Sequence, residues 1–301
     1  MTPLPTLRQL QFFMALVRRE SFSKAADDCL VSQSTLSSAI KEMEGLLGAQ
    51  LVDRSTRAFA LTPAGELVAA RAGAILASTE DLSRAVTDRK PLEGEFYLGV
   101  IPTIAPFVLP DVTSKLHSAF PNLKLYLRED LTASLAERLA AGLIDAALLA
   151  LPYDLHGVEV EEVGIDPFWF ACDAAHPLAK KTEVTTDDLK SAEILLLEDG
   201  HCLREHAVGA CDLSDRSHPA AFGGTSLFTL TQMTKSGLGA TLLPEMAIKG
   251  GLAQRADLVA IPFAKPAPCR KIGVAWRKGS GRRDEAQAIA AVITEVLREN
   301  A

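Results

Sequence analysis

Of the five cysteines in this 301-residue chain, the two most closely spaced, Cys202 and Cys211, lie in the stretch Leu195–Cys211. An apolar run there enters an acidic turn, Glu198-Asp199-Gly200, and then reaches Cys202, with His201, Arg204 and His206 around it. Only the thiolate form of cysteine attacks a peroxide or a disulfide. An unperturbed thiol of pKa about 8.5 is a few per cent ionised at neutral pH, so neighbouring charges decide its reactivity. Arg204 and His201 favour ionisation of Cys202, whereas Glu198 and Asp199 oppose it, and the sign of the balance stays open.

The spacing says more than the charges. Residues 203–210 have helix-compatible composition, and a helix rising about 1.5 Å per residue sets the two cysteines roughly 13 Å apart along its axis. A disulfide needs Cα atoms within about 4.4–6.8 Å of each other. If the stretch is helical while reduced, oxidation to a Cys202–Cys211 bond has to unwind it, giving two mutually exclusive backbones. Two unrelated buried cysteines are the alternative at this level.

The elements around this stretch belong to an ordinary globular chain, with 48% hydrophobic and 23% charged residues. No run of some 18 uncharged apolar residues occurs and the N-terminus lacks a signal-peptide core, so a soluble cytoplasmic protein with no membrane partner is expected. In that reducing compartment a disulfide is usually transient, catalytic or sensory. The cysteine spacing fits no zinc pattern, and neither a metal nor a cofactor is expected. The net charge of −7 is uneven, with 11 Lys/Arg against 10 Asp/Glu in residues 1–90 and 20 against 28 beyond. An acidic protein binds nucleic acid only through a local basic surface, so any DNA function rests on the pattern of the first ninety residues.

That pattern predicts three helices, at 6–19, 21–30 and 34–47. Leu36, Ile40, Met43 and Leu47 are expected inside the third, and Ser34, Ser37, Ser38 and Lys41 on its outer face. Val31-Ser32-Gln33 forms the tight turn, with Ser32 suited to cap the third helix. Two short helices with a small turn, the second presenting hydroxyls, an amide and a lysine, fit a helix-turn-helix. Residues 51–62 read as a small hairpin carrying Arg54 and Arg57. Thr62-Pro63 starts a long helix whose Val68, Ile75 and Leu82 recur every seven residues, a stripe that calls for a partner helix. The hinge at 88–94 separates it from strands and helices in alternation. Strands are predicted at 96–101, 123–127, 145–151, 168–172, 194–197, 240–243 and 272–276, the later ones in a second sheet; helices at 107–119 and 132–141 and a closing helix at 283–299 complete an α/β domain.

Two motifs carry a resemblance. The run Ser21-Phe22-Ser23-Lys24-Ala25-Ala26 followed by Val31-Ser32-Gln33-Ser34-Thr35-Leu36-Ser37 resembles the DNA-binding signature of the LysR-type transcriptional regulators, with Ser34 where proline is common. Leu197-Glu198-Asp199-Gly200-His201-Cys202-Leu203-Arg204, then Cys211 and Thr225-Ser226-Leu227, is similar to the sensor segment of the hydrogen-peroxide-responsive members of that family.

The resemblance implies an N-terminal winged helix-turn-helix at 1–62, a linker and dimerisation helix with hinge at 63–90, and a regulatory domain at 91–301. The last is of the two-subdomain, periplasmic-binding-protein-like kind, with subdomain I at about 91–164 and 268–301 and subdomain II at about 165–267. It implies a peroxide-attacking Cys202 that pairs reversibly with Cys211, in a pocket formed by Thr103, Thr132, His201, Arg204 and Arg270. For DNA it implies Gln33, Ser34, Thr35, Ser37, Ser38 and Lys41 on the recognition helix and Arg54 and Arg57 in the wing. The expected partners are promoter DNA, a second copy in a homodimer and on to a homotetramer, RNA polymerase, hydrogen peroxide as signal, and a thiol reductant of glutaredoxin or thioredoxin type. One departure stands before Thr225, where Ala221-Phe222 replaces the His-Phe of the better-known members. Two other readings stay open: a regulator that binds a small metabolite between the subdomains, and a thiol peroxidase, against which the helix-turn-helix argues.

Overall fold

A computed structural model describes residues 4–53, 59–85, 92–154, 157–211 and 224–300. The chain divides into two compact units, one built chiefly from residues 1–89 and the other chiefly from residues 90–301.

The first unit opens with α1 (Leu7–Arg19), where Thr6 and Gln9 close a capping box by exchanging side-chain and backbone hydrogen bonds. Helix α2 (Phe22–Asp28) is capped by Ser21, and α3 (Gln33–Leu47) by Ser32, whose hydroxyl accepts the Thr35 N–H at 3.1 Å. Phe13, Leu16, Leu36, Ile40 and Met43 are fully buried together, and alanines at 25 and 26 let α2 approach closely. Each such large side chain contributes about 1.5–3 kcal/mol on leaving water. Leu47 does not join them: as the last residue of α3 it is 40% exposed. A buried carboxylate, Glu44, accepts the Leu51 N–H at 2.9 Å and so ties α3 to the base of the wing. The wing itself is a short antiparallel contact, Val52 opposite Leu61. Arg54 and Arg57 lie outside the described residues.

Helix α4 (Pro63–Ala85) corrects the predicted stripe. Val68 and Ala72 turn inward onto the core of their own unit. The large apolar side chains left in solvent are Leu67, Ile75 and Leu82, at 62%, 49% and 70% exposure. Helical phase explains the split, because the first turns of α4 lie over the three-helix core and bury whatever faces it.

The second unit contains β1 (Gly94–Val100), α5 (Ala105–Ala119), β2 (Leu123–Glu129), α6 (Thr132–Ala140), β3 (Ala146–Leu151), β4 (Val158–Cys172) and β5 (Ile194–Leu195). It continues with α7 (Cys202–Cys211), α8 (Leu227–Lys235), β6 (Ala240–Pro244), α9 (Glu245–Lys249), α10 (Leu252–Arg255), β7 (Val259–Pro262), β8 (Cys269–Arg277) and α11 (Arg283–Glu299). Strand order is β2-β1-β3-β8-β4-β6-β5, with β7 also paired to β4. The βα repeats place β1 parallel to β2 and β3, whereas β8 runs antiparallel to β3 and to β4.

Two sheets are present, and one strand joins them. The first half of β4 pairs with β8, and its last residues, Phe168–Cys172, pair with β6 and β7. Sequence patterning predicts only that last part. Glu161, Glu162, Gly164 and Pro167 are poor strand formers, and a register shift between Glu162 and Gly164 accommodates them. Each end has its own core, and that of the β4–β6–β7 end holds Phe168, Phe170, Leu203, Ala207 and Cys211.

Candidate functional site

Four residues from separate elements build the surroundings of the Cys202 thiol, Thr132 and Arg270 acting on it directly and Thr103 and Asp166 holding Arg270. Gly200, at φ 95°, makes the turn that lets α7 begin at Cys202. Starting there places the sulfur at the positive end of the helix, which favours a thiolate. Thr132 opens α6, Thr103 follows β1, and Arg270 is the second residue of β8; all three are buried. The fourth partner was not expected from sequence. Asp166 on β4 stands directly opposite Arg270 in the strand register.

Arg270 is held on several sides. Its Nε and one terminal nitrogen donate to the Asp166 carboxylate at 3.0 and 2.9 Å, another nitrogen donates to the Thr103 hydroxyl at 2.8 Å, and the Thr103 carbonyl accepts at 3.1 Å. The other Asp166 oxygen accepts the Met246 N–H at 3.1 Å. Burial raises the Asp166 carboxyl above its ordinary range, opposed by Arg270. With a partner at each of its three nitrogens, the buried Arg270 guanidinium is fixed in place. Since the Thr103 hydroxyl oxygen accepts from Arg270, its own proton stays free to donate. The Thr132 hydroxyl hydrogen-bonds no nitrogen or oxygen and faces the Cys202 thiol.

All five cysteines are free. Burial raises the Cys202 thiol above its ordinary value; the Thr132 hydroxyl, the Arg270 charge and the backbone at Ala150 oppose that, and Glu205 adds to it. Cys211 lies in the apolar core, where burial alone pushes its thiol up to about 12. On a helix the two cysteines differ by nine residues, which is roughly 13 Å along the axis and about half a turn around it. They therefore occupy opposite faces of α7. Cys172 is also buried, with its thiol pushed up to about 11, while Cys269 is exposed.

Arg204 is not at the thiol. It pairs with Asp199 at 2.9 Å and donates to the Leu197 carbonyl at 3.3 Å, because it points back over the turn that precedes α7. His201 is buried, and burial holds its imidazole below the ordinary value against the pull of Glu198. His206, one turn beyond Cys202, was legible from helical spacing but carried no assigned role; its Nε2 lies 3.0 Å from the Pro152 carbonyl. Ala221 and its neighbours at 212–223 lie outside the described residues. No group of three or more His, Cys, Asp or Glu among the described residues could hold a metal ion.

In the first unit the outer side of α3 is polar and accessible. Gln33, Ser34, Thr35, Ser38 and Lys41 are exposed, and Ser37 is half-buried. Two of the hydroxyls are partly engaged at the cap, since the Ser32 hydroxyl lies 2.8 Å from that of Ser34 and 2.7 Å from that of Thr35.

A helix-turn-helix unit on the same chain as an α/β unit with a buried polar pocket around a thiol defines a ligand- or signal-responsive DNA-binding regulator. Comparison with known proteins agrees. Residues 7–66 match the bacterial regulatory helix-turn-helix protein of the lysR family, and residues 89–298 match the LysR substrate binding domain. The chain belongs to the LysR family of DNA-binding transcriptional regulators. It is 37% identical over 297 residues to the HTH-type transcriptional regulator EstR of Acinetobacter baylyi, covering 98% of both chains. It is also 37% identical to a probable hydrogen peroxide-inducible genes activator of Streptomyces viridosporus, covering 98% of this chain and 95% of that one. Among solved structures, a full-length OxyR from Pseudomonas aeruginosa with a cysteine-to-aspartate substitution matches with TM-score 0.83 at 31% identity, over 96% of this chain and 98% of the other. No described helix is long and apolar enough to cross a membrane.

Proposed function

We propose that this protein is a cytoplasmic regulator that reads hydrogen peroxide through Cys202 and answers by forming a reversible Cys202–Cys211 disulfide. The observation that carries the reading is the set of partners around Cys202, namely a threonine hydroxyl with no other partner, a second hydroxyl with its proton free, and a buried guanidinium. These are the donors that a bound peroxide and a developing thiolate need. The Cys202 thiolate attacks one peroxide oxygen and the O–O bond breaks. Cys202 becomes a sulfenic acid, and the leaving hydroxide takes up a proton to give water. Thr103 and Thr132 orient the peroxide, Arg270 stabilises the negative charge, and His201 donates to the leaving oxygen. Arg204 stays outside this scheme. Cys211 then attacks the sulfenic sulfur and a second water leaves. A dithiol reductant of thioredoxin or glutaredoxin type returns the pair to thiols.

Because the cysteines start on opposite faces of α7, the disulfide requires that helix to unwind. The rearranged sensor is what changes the arrangement of subunits on promoter DNA and their engagement of RNA polymerase. The subunits pair through α4 and assemble further to a homotetramer. On the DNA side, Gln33, Ser34 and Ser37 read base edges with Thr35, Ser38 and Lys41 beside them, and Arg54 and Arg57 of the wing contact phosphates.

The match of residues 89–298 to the LysR substrate binding domain keeps a metabolite-binding regulator as the competing reading, and one experiment separates the two. After stoichiometric peroxide, mass spectrometry should find the Cys202–Cys211 disulfide in the wild type, a sulfenic or overoxidised Cys202 in Cys211→Ser, and a free Cys211 in Cys202→Ser. Footprints of the reduced and oxidised protein on its own upstream region should differ, and Cys202→Ser should abolish the difference. A Cys211 that oxidises at the normal rate in Cys202→Ser defeats the assignment.

A further inference from the structure

Helix α7 presents two buried faces. Leu203, Ala207 and Cys211, spaced by four, lie in the apolar core of the β4–β6–β7 end. Cys202 and His206, also spaced by four, are the buried residues of the other face, which looks toward the end of β3: the thiol meets the backbone at Ala150, and the His206 Nε2 lies 3.0 Å from the Pro152 carbonyl. Pro152 is the first residue beyond β3, where the ladder to β8 has ended at Leu151, so its carbonyl has left the sheet and finds the imidazole. A carbonyl can only accept, so Nε2 carries the proton and Nδ1 is left with its lone pair. Nδ1 is buried and has no hydrogen-bond partner. The imidazole is thus oriented by this one bond.

We propose that His206 is a positioning residue, whose hydrogen bond to the Pro152 carbonyl latches α7 in its reduced, helical form and thereby sets the balance between dithiol and disulfide. The inference rests on the peroxide-switch reading. Residue 206 lies between the two cysteines, in the segment that must leave its helix for their Cα atoms to come within about 4.4–6.8 Å. A bond made there in the reduced form is broken in the oxidised one, so it opposes disulfide formation by its net strength and leaves the first reaction of Cys202 alone.

The test uses the full chain equilibrated in mixtures of reduced and oxidised glutathione, with thiols trapped by acid and alkylation and counted by mass. His206→Leu keeps bulk without the donor, and should move the equilibrium toward the disulfide by about three- to tenfold. His206→Asn, polar but too short to reach the carbonyl, should move with it. His206→Gln supplies an N–H of similar reach and should stay within about twofold of the wild type. In a Cys211→Ser background, the rate of sulfenic acid formation at Cys202 should be the same in all four proteins. An unmoved equilibrium in the leucine and asparagine variants, a glutamine variant that shifts with them, or a slowed first oxidation would each overturn the latch. A wild type that forms no Cys202–Cys211 disulfide in any mixture overturns the peroxide reading itself, which separates that failure from one confined to His206.

Discussion

Asp166 and Arg270 face each other across β4 and β8, and their charged groups meet at 2.9 Å with 3% and 0% of the side chains open to solvent. Removing one partner strands the other charge in a dry pocket, at a cost of about 3–5 kcal/mol. Arg270→Met and Asp166→Leu should each lower the stability measured by urea unfolding by that amount. The double variant should recover much of the loss, since two apolar groups leave no orphan charge. A single variant that loses less than about 1 kcal/mol would show that the pocket admits water.

Thr132→Val removes the hydroxyl that faces the thiol and keeps the shape. Burial then acts on Cys202 with less opposition, so the thiol pKa should rise further and the peroxide rate at neutral pH should fall about two- to tenfold. Stopped-flow rates against pH provide the check. The profile should move to higher pH while the rate of the fully ionised thiolate changes less; a profile that falls uniformly with no displacement would assign Thr132 to orienting peroxide alone.

Alkaline pH tests the burial of the resolving cysteine. The fold pushes the Cys211 thiol up to about 12 and that of Cys172 up to about 11, well above the ordinary thiol value. Above pH 9 the unfolded chain releases protons that the folded chain keeps, so stability falls as pH rises, by about 1.4 kcal/mol per pH unit for each thiol. Below pH 9 both states hold the proton and the effect vanishes. Urea unfolding in reductant between about pH 9 and 11 should therefore depend less steeply on pH in Cys211→Ala, and equal slopes in the two proteins would contradict the buried setting.

On the recognition helix, Gln33 is exposed in the first turn of α3, as a base-reading amide must be. Gln33→Ala should reduce discrimination between operator and random DNA by about 1–3 kcal/mol for each bidentate hydrogen-bonded pair that the amide makes with a base. Equal weakening on both DNAs in titrations at matched salt would move Gln33 to a phosphate-binding role.

The exposed stripe of α4 carries the prediction for assembly. A glutamate at Ile75, which is 49% exposed in the single chain, would have to be buried unpaired in a helix pair and should separate subunits at micromolar concentration. Val68→Ala should instead weaken folding of the DNA-binding unit, because Val68 packs within it. Sedimentation of Ile75→Glu at an unchanged mass would remove this interface.

Local chemistry was enough to read much of this protein from its residues. Caps at Thr6, Ser21 and Ser32, the helix spacing of Leu36, Ile40 and Met43, and the apolar run at β3 are decided within a few residues, so α1, α2, α3 and β3 are legible in sequence. The cysteine pair and the glycine before it are legible in the same way. What the tertiary structure decided is everything that depends on residues far apart in the chain. Whether Val68 faces its own core or a partner depends on where α4 crosses the three helices. That Arg204 turns to Asp199 while Arg270, 66 positions later, supplies the charge at Cys202 depends on β4 running through both sheets and bringing Asp166 opposite Arg270. A sequence records which side chains can ionise or accept a proton, but burial and the partner across the sheet fix the electrostatics of the thiol, and those arise only once distant strands have paired.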